Sequence, residues 1–163
     1  MRTYTLFYNG PFSQWHACNF TLDKTQYNCA EQYMMHQKAL LFKDEESAQR
    51  ILGSFSPMEE KRIGREVKGF KHEIWVPARE KVVYQGNHAK FTQNPALLRI
   101  LMETKGTTLV EASPYDTIWG IGLAEDELDA WNEKHWRGQN LLGKILTQLR
   151  EDLERHDLII KTL

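Results

Sequence analysis

The sequence predicts an α+β fold in which a small β-sheet, formed by strands near the N-terminal and C-terminal ends of the chain, is surrounded by several α-helices. β-prone residues are concentrated at residues 3–8 and 107–111. Between these segments, and again at residues 141–153, helix start signals are followed by apolar residues at helical spacing. The 163 residues contain no internal repeat, low-complexity segment or linker-like stretch, so we expect a single domain over residues 1–163.

Four segments are predicted to be strands. Residues 3–8 are β-prone and end at an Asn-Gly-Pro turn, and residues 19–22 form a second extended piece. Residues 107–111, with the sequence Thr-Thr-Leu-Val-Glu, are the clearest strand in the chain. A turn separates them from residues 117–119, which we expect to be their partner strand.

Capping residues and apolar spacing define the predicted helices. Asn28, followed three residues later by Glu31, has the form of a capping box, in which two side chains bond to backbone N–H groups at the start of a helix. Proline residues near the start of later predicted helices, and Gly53 after the helix predicted at residues 45–52, are typical of helix boundaries. The predicted helices are residues 28–42, 45–52, 56–69, 77–91, 94–106 and 141–153.

The charge balance limits the kinds of partner. Lysine and arginine together number 21, aspartate and glutamate 22, and the formal net charge is −1. A strong, sequence-independent affinity for nucleic acid normally needs an excess of basic residues, which this chain lacks. No apolar run has the length of a signal peptide or a membrane span, so we expect a cytoplasmic protein with no membrane partner.

The cysteines and histidines do not predict a metal site. Cys18 and Cys29 are too few for a disulfide framework in a chain of this length. With His16 and His36 they supply the ligand types of zinc, but their spacings match no zinc finger or ribbon. We therefore expect reduced thiols, no metal ion and no cofactor.

Glu31 and Lys38 form the first candidate catalytic pair. They lie seven positions apart on one predicted helix, and two helical turns bring both side chains to the same face. A carboxyl group can protonate a leaving nitrogen or activate water at an anomeric carbon, and a lysine with a lowered pKa can form a Schiff base with a ring-opened sugar. The more ordinary alternative is that Glu31 closes the helix cap and Lys38 is solvated.

Asp116 and Trp119 form a second candidate cluster. The turn that contains Asp116 is followed by Trp119 and by two glycines, Gly120 and Gly122. The indole can stack on a flat heterocycle, and glycines allow the backbone to approach it. The alternative is an Asx-type turn beside a core tryptophan. The two glycines alone do not make a dinucleotide-binding loop.

Polar residues near helix ends are candidates for phosphate or sugar contacts. Arg65 can bind phosphate through its guanidinium fork, and Lys90 and Asn94 flank another helix junction. Asn140 precedes the last predicted helix, where it is either a helix cap or a ligand contact. Most exposed basic residues have no such role.

In chain order, these residues resemble the NADAR superfamily, also called YbiA-like. The resemblance covers about residues 6–153, and its most specific part is the block at residues 113–122. The matching motifs are Asn19-Phe20, Glu31-Gln32-Tyr33-Met34 with Gln37-Lys38-Ala39, Gly64-Arg65, Trp75, Lys90-Phe91 with Gln93-Asn94-Pro95, Ser113-Pro114-Tyr115-Asp116 with Trp119-Gly120-Ile121-Gly122, and Asn140-Leu141-Leu142-Gly143.

The resemblance implies an N-glycosidase, a hydrolase that cuts the bond between ribose and an exocyclic amino nitrogen. It implies two substrate classes: phosphorylated ribosylamino-pyrimidine intermediates of riboflavin biosynthesis, and ADP-ribosylated guanine, which is the one form in which nucleic acid would be a partner. The implied roles are acid/base catalysis by Glu31 and Asp116, and action at the anomeric carbon by Lys38, with or without a covalent intermediate. Walls are implied for Trp75 and Trp119, and phosphate or sugar contacts for Arg65, Asn19 and Asn140.

Some positions depart from the family pattern, and other functions are open. Cys18 stands where the family usually has serine, Val76 replaces an expected acidic residue, and residues 126–136 form a longer segment that is a candidate substrate-specific lid. The main alternative function is a non-catalytic module that binds ADP-ribose or a nucleotide on the same fold. A second alternative is an interaction domain that uses Trp131 and Trp136. The sequence leaves the oligomeric state open.

Overall fold

A computed structural model describes the backbone of residues 3–162 and the side chains of residues 3–157. The chain divides into two compact units. We call Met1–Ser13 with Ala96–Leu163 the terminal unit, and Gln14–Pro95 the central unit. The expectation of one domain over residues 1–163 stays a prediction. The strands are β1 (Tyr4–Phe7), β2 (Phe20–Leu22), β3 (Thr25–Tyr27) and β4 (Thr108–Glu111), and the helices are α1 (Ala30–Leu41), α2 (Glu45–Leu52), α3 (Pro57–Arg65), α4 (His72–Thr92), α5 (Pro95–Met102) and α6 (Leu141–Thr162).

The sheet of the terminal unit pairs two strands that are far apart in the sequence. β1 and β4 are parallel, with Tyr4 opposite Thr108 and Phe7 opposite Glu111. A parallel pair needs a long crossover connection, and here residues 8–107 lie between the two strands. The predicted small sheet from N-terminal and C-terminal strands is therefore confirmed.

The predicted pairing of residues 107–111 with residues 117–119 is wrong. The Oδ1 of Asp116 accepts the backbone N–H groups of Ile118 and Trp119, each at 2.8 Å, which folds that segment into a turn. Backbone groups at the free edge of β4 instead form hydrogen bonds with side chains. Thr147 Oγ1 accepts the N–H of Leu109 at 2.9 Å, so α6 covers the edge where a third strand would pair.

The core of the terminal unit lies around β4. Val110, Ala112, Ile121, Leu123 and Ala130 form one buried cluster. α6 packs against β4 and is longer than predicted, whereas α5 ends at Met102, before its predicted end. Two short 3-10 helices, Leu128–Trp131 and Glu133–His135, lie in the segment predicted to form a lid. Within residues 3–162, no helix is both long and apolar enough to cross a membrane.

The central unit begins with a hairpin of which only the first strand was predicted. β2 and β3 are antiparallel and are joined by Asp23 and Lys24, whose φ angles are 49° and 65°. Tight hairpins need such positive φ values, and Gly or Asn normally supplies them. Because the turn Asp23-Lys24 contains neither residue, no local pattern predicted β3.

Four helices complete the central unit, and α1 contacts the other three. α2 is as predicted, whereas α3 ends at Arg65, before its predicted end at residue 69. α4 begins at His72 and contains both Trp75 and Pro77, although it was predicted to begin at the proline. The predicted start was wrong because proline is most common in the first turn of a helix, and the prediction therefore began the helix at Pro77.

Candidate active site

The first turn of α1 is capped without Glu31. Cys29 is the N-cap residue, and its Sγ accepts the backbone N–H of Gln32 at 3.4 Å. The side chain of Gln32 closes the box, because its Oε1 accepts the N–H of Asn28 at 2.8 Å. The predicted box of Asn28 and Glu31 is therefore wrong by one residue. The ordinary structural role considered for Glu31 is filled by Gln32.

Glu31 is the second residue of α1 and is only 4% exposed. Its backbone N–H donates to the carbonyl of Gln14 at 2.9 Å. The positive end of the helix dipole favours a carboxylate at this position. The negative charge of Glu31 acts to raise the pKa of both Cys29 and Lys38. Glu31 and Lys38 therefore interact electrostatically, in agreement with their spacing of two helical turns.

Lys38 lies half-buried against two aromatic rings. Its Nζ is 4.6 Å from the ring centroid of Phe70 and 5.9 Å from that of Trp75. Burial lowers the pKa of Lys38 below its ordinary value, the carboxylate of Glu31 opposes this, and the guanidinium of Arg65 adds to it. A partly desolvated lysine beside a second cation is the usual setting of a nucleophilic amine.

The structure thus brings four of the predicted site residues into one cluster. Glu31, Lys38, Arg65 and Trp75 all belong to the central unit, and we call them, with Phe70, the Lys38 cluster. Trp75 is buried, and Arg65 is exposed. The cluster combines a carboxylate, an amine, a guanidinium and a flat apolar surface, which suits a ligand with a sugar and an anionic group.

Phe70 was missed by sequence reasoning. It follows Gly69, whose φ of 77° marks a turn between α3 and α4, and its ring packs against Phe42 at 5.4 Å between centroids. A single aromatic residue in a short loop carries no periodic signal. Only the position of the loop relative to α1 identifies it.

Asn19 is an exposed residue immediately before β2. Its backbone carbonyl accepts a hydrogen bond from Nδ2 of Asn94 at 2.9 Å. The same Nδ2 donates to the carbonyl of Lys90 at 2.8 Å, so Asn94 ties the hairpin to the end of α4. The ligand contact predicted for the side chain of Asn19 stays a prediction.

Asp116 and Trp119 lie in the terminal unit, where one carboxylate orders the turn between them. Both N–H groups bonded to Asp116 end on the same oxygen, Oδ1. This is the Asx-type turn that was considered for Asp116, and it fixes the backbone of the half-buried Trp119. A Cβ at Gly120 would lie 2.9 Å from the carbonyl oxygen of Glu111, so only glycine fits there. The acid/base role of Asp116 and the wall role of Trp119 stay predictions.

Asn140 has a structural role. It is fully buried and adopts a φ of 53°, a conformation that asparagine tolerates better than most residues. Its Oδ1 accepts the N–H of Glu111 at 2.9 Å, and its Nδ2 donates to the carbonyl of Leu109 at 3.1 Å. The side-chain amide therefore bonds to the backbone of β4 where a neighbouring strand would otherwise pair. The phosphate or sugar contact predicted for Asn140 stays a prediction beside this role.

Lys90 is a buried amine whose position the sequence did not reveal. It is 0% exposed, and its Nζ lies 5.0 Å from the ring centroid of Phe91. Burial lowers the pKa of Lys90 to about 8, against the opposing effects of Cys18 and Cys29. The phosphate contact considered for Lys90 stays a prediction. Its presence in the Lys90-Phe91 motif was the available signal.

The zinc alternative gains no support from the described side chains. Over residues 3–157, no three His, Cys, Asp or Glu residues are grouped so that they could hold a metal ion. The thiol of Cys29 donates to Oε2 of Glu60 at 3.0 Å. Nδ1 of His36 shares a hydrogen bond of 2.8 Å with the hydroxyl of Tyr27. Both potential ligands thus have other bonding partners.

A family model described as "NADAR domain" matches residues 6–154 of the chain. The chain belongs to the NADAR domain family. The N-glycosidase R617 of Acanthamoeba polyphaga mimivirus is 43% identical to this NADAR protein over 146 residues, which are 86% of each chain. The N-glycosidase YbiA of Escherichia coli is 32% identical over 144 residues, covering 88% of this chain and 81% of that protein.

The solved NMR structure of Escherichia coli YbiA confirms the fold class of this NADAR protein. The two structures are similar with a TM-score of 0.80 and 31% sequence identity, and the match covers 97% of this chain and 89% of that chain. The chloroplastic riboflavin biosynthesis protein PYRR of Zea mays is 37% identical over 109 residues, which are 64% of this chain and 16% of that protein. The family resemblance and the α+β fold are both confirmed.

The names of these relatives also bear on the enzyme class. R617 and YbiA are both named N-glycosidases, which are hydrolases that act on N-glycosyl bonds. This NADAR protein is therefore a homologue of such hydrolases, and the predicted enzyme class is confirmed at that level.

Proposed function

We propose that the chain is an N-glycosidase that hydrolyses the bond between a ribose carbon and an exocyclic amino nitrogen, with Glu31 and Lys38 at its reacting centre. The observation that supports this most is the Lys38 cluster, in which a buried carboxylate and a half-buried amine interact beside Trp75. A carboxyl group can transfer the protons of this reaction, and an amine can attack the anomeric carbon. R617 and YbiA, which share the fold family, are named for the same bond type.

The carboxyl groups serve the proton transfers. When the C1–N bond breaks, its electron pair goes to the exocyclic nitrogen, which takes a proton from an acid. Water then adds its oxygen to C1 and gives its proton to a base. We assign these two roles to Glu31 and Asp116. Glu31 is the better-supported member of the pair, since its charge already acts on Lys38.

Lys38 acts at the anomeric carbon. In a covalent route, its neutral amine attacks C1 of the ring-opened ribosyl group, the exocyclic amine leaves with a proton, and water hydrolyses the resulting imine. Burial and Arg65 lower the pKa of Lys38, which increases the neutral fraction of the amine. In a non-covalent route, the protonated amine of Lys38 only orients the substrate and adjusts the electrostatics of the site.

The proposed substrates are phosphorylated ribosylamino-pyrimidine intermediates of riboflavin biosynthesis, or ADP-ribose joined to the amino group of guanine. Both are small ribosyl compounds with a flat base and an anionic phosphate. The exposed guanidinium of Arg65 suits the phosphate, and Trp75 and Trp119 suit the base. The riboflavin-related name of the maize relative supports the first class. We place the activity in the cytoplasm.

A mass-spectrometric assay of the purified protein against both substrate classes tests the proposal. We expect release of the free base amine and a ribose-phosphate or ADP-ribose product from at least one class. Glu31→Gln should lower turnover at least about a hundredfold, because a positioned acid or base contributes that much. Glu46→Gln is the matched control, since Glu46 is also the second residue of its helix, α2, but its side chain is 74% exposed.

Two results would overturn the proposal. Turnover of the Glu31→Gln variant equal to that of the control would remove Glu31 from the reaction. Tight binding of these ligands, with intact recovery after long incubation, would favour a non-catalytic binding module instead. Thermal melting of both variants shows whether the fold is retained.

A further inference from the structure

A cleft in the central unit, lined by β2, the β2–β3 turn, α1 and α4, is separate from the Lys38 cluster. Its volume is about 350 Å³. Small-molecule sites commonly have volumes of about 300–1,000 Å³, so this cleft is large enough for one flat ring system. The residues that decide its chemistry are Asp23, Tyr33, Tyr84, Gln85, His88 and Gln93.

The cleft and the Lys38 cluster lie on different faces of α1. An α-helix turns by about 100° per residue, so Tyr33, which lines the cleft, points about 140–160° away from Glu31 and Lys38. A ligand in the cleft would therefore contact the opposite side of the helix. Binding in this cleft is a property separate from the N-glycosidase chemistry proposed above.

The walls of the cleft are aromatic and are held in place by the fold. The rings of Tyr84 and His88, one turn apart on α4, are stacked with centroids 6.4 Å apart and planes inclined by 28°. A Cβ at Gly86 would lie 2.6 Å from Cδ1 of Tyr33, so the glycine lets α4 approach the buried ring. Gln93 bonds to both the N–H and the carbonyl of Thr21, each at 2.8 Å, and thereby fixes β2 against α4.

The charge of the cleft favours one class of ligand. Asp23 is the only acidic residue that lines it, and no described lysine or arginine does so. Asp23 also acts on Tyr33, which forms the floor of the cleft. The pKa of Tyr33 is raised to about 12, mainly by burial and further by Tyr27 and Asp23. Lys24 shares the turn with Asp23 but does not line the cleft. The carboxylate that faces the cleft therefore disfavours phosphate there and attracts an amino group or a protonated ring.

We propose that this cleft binds a flat, phosphate-free heterocyclic amine. The ring stacks on the aromatic surface of Tyr84 and His88, and the amino edge is directed to Asp23. The amide of Gln85 supplies a further hydrogen-bonding group on the same wall. The ligand class thus differs from the phosphate-bearing substrates proposed for the Lys38 cluster by having no anionic group.

Titration of the ¹⁵N-labelled protein with 2,4-diaminopyrimidine, followed by NMR, tests this site. We expect the largest shift changes at residues 22–23 and 84–93. Asp23→Asn should weaken binding about tenfold or more, because it removes a charged hydrogen-bonding partner. Asparagine tolerates the positive φ of this position, so the turn is retained. Glu80→Gln, which changes an exposed acid elsewhere on α4, should leave binding unchanged.

Two further titrations separate this site from the proposed active site. The Glu31→Gln variant should bind 2,4-diaminopyrimidine as the wild type does, whether or not it has lost turnover. Cytidine 5′-monophosphate, which carries a ribose phosphate on a similar aminopyrimidine ring, should cause no shifts in the cleft. The proposal is overturned by the absence of binding at millimolar ligand, by shifts centred on Lys38, Phe70 and Trp75, or by unchanged affinity in Asp23→Asn.

Discussion

The Nζ of Lys38 lies 4.6 Å from the centre of the Phe70 ring, on the side of α1 that also carries Glu31. Phe70 belongs to the loop between α3 and α4 and is itself 43% exposed. The ring shields one side of the amine from water, and this burial is the main cause of the lowered pKa of Lys38. A loop residue outside the family motifs thus contributes to the electrostatics of the candidate active site.

The Phe70→Ala substitution should move the pH dependence of activity. Loss of the ring hydrates Lys38, so its pKa should rise toward the ordinary lysine value of 10.5. If the neutral amine is the reactive form, the rising limb of kcat/KM against pH should move to higher pH. The measurement is a pH–rate profile for both proteins.

Phe55→Ala is the control for the removal of an aromatic ring, because Phe55 is 94% exposed and also follows a helix. Its pH–rate profile should coincide with that of the wild type. A shift to lower pH for Phe70→Ala would show that the ring acts by stabilising the charged amine. An unchanged profile would show that the ring has no net effect on the pKa of Lys38.

Borohydride added during turnover should trap a mass adduct on Lys38, because reduction of an imine leaves a stable secondary amine. The Lys38→Arg variant should give no adduct, since arginine keeps the charge but cannot form the imine. Lys61→Arg is the matched control, because Nζ of Lys61 lies 5.9 Å from the ring centroid of Trp15, the same distance as Lys38 from Trp75. Peptide mapping locates the adduct. Turnover without any adduct would limit Lys38 to an electrostatic role.

Local patterns in the sequence predicted most of the helices and the strands of the terminal sheet. α2 has its predicted bounds because Asp44 caps it, with Oδ1 accepting the N–H of Ser47 at 3.1 Å, and Gly53 ends it. The predicted start of α1 was wrong because two adjacent residues, Asn28 and Cys29, could occupy the N-cap position. Cys29 took the capping position expected for Asn28, whose Nδ2 donates instead to the carbonyl of Ser54 at 2.8 Å.

Long-range relationships were harder to predict. The partner of β4 is β1, about a hundred positions earlier, and no local pattern reports that pairing. The grouping of Glu31 with Lys38 followed from helical spacing within α1. The approach of Phe70 and Arg65 to the same amine depends on how α3 and the following loop pack on α1. This packing leaves no periodic pattern in the sequence from which it could be predicted.

Stability should depend on pH through Lys90. Its pKa is about 8 in the folded protein and 10.5 in the unfolded chain, so the unfolded chain binds more protons between these values. The free energy of unfolding should therefore rise with pH across this window, by on the order of 3 kcal/mol from this residue alone. Lys90→Met should lose that rise. Urea unfolding of both proteins at several pH values from 7.5 to 10.5 measures it.

The difference between the two proteins isolates Lys90 from other groups that titrate in the same range. Lys81→Met, at an exposed position on the same helix, is the control and should follow the wild type. Equal slopes for wild type and Lys90→Met would mean that Lys90 keeps an ordinary pKa despite its burial.

The Asn140→Ala substitution should destabilise the protein by about 2–4 kcal/mol, because it removes two hydrogen bonds to β4 and leaves the N–H of Glu111 and the carbonyl of Leu109 without that partner. Asn132→Ala, in an exposed capping position of the same unit, should cost less than about 1 kcal/mol. Chemical denaturation measures both. If Asn140 served substrate alone, its replacement would lower activity and leave the unfolding midpoint unchanged. A lower midpoint would confirm that Asn140 stabilises the fold through its hydrogen bonds to β4.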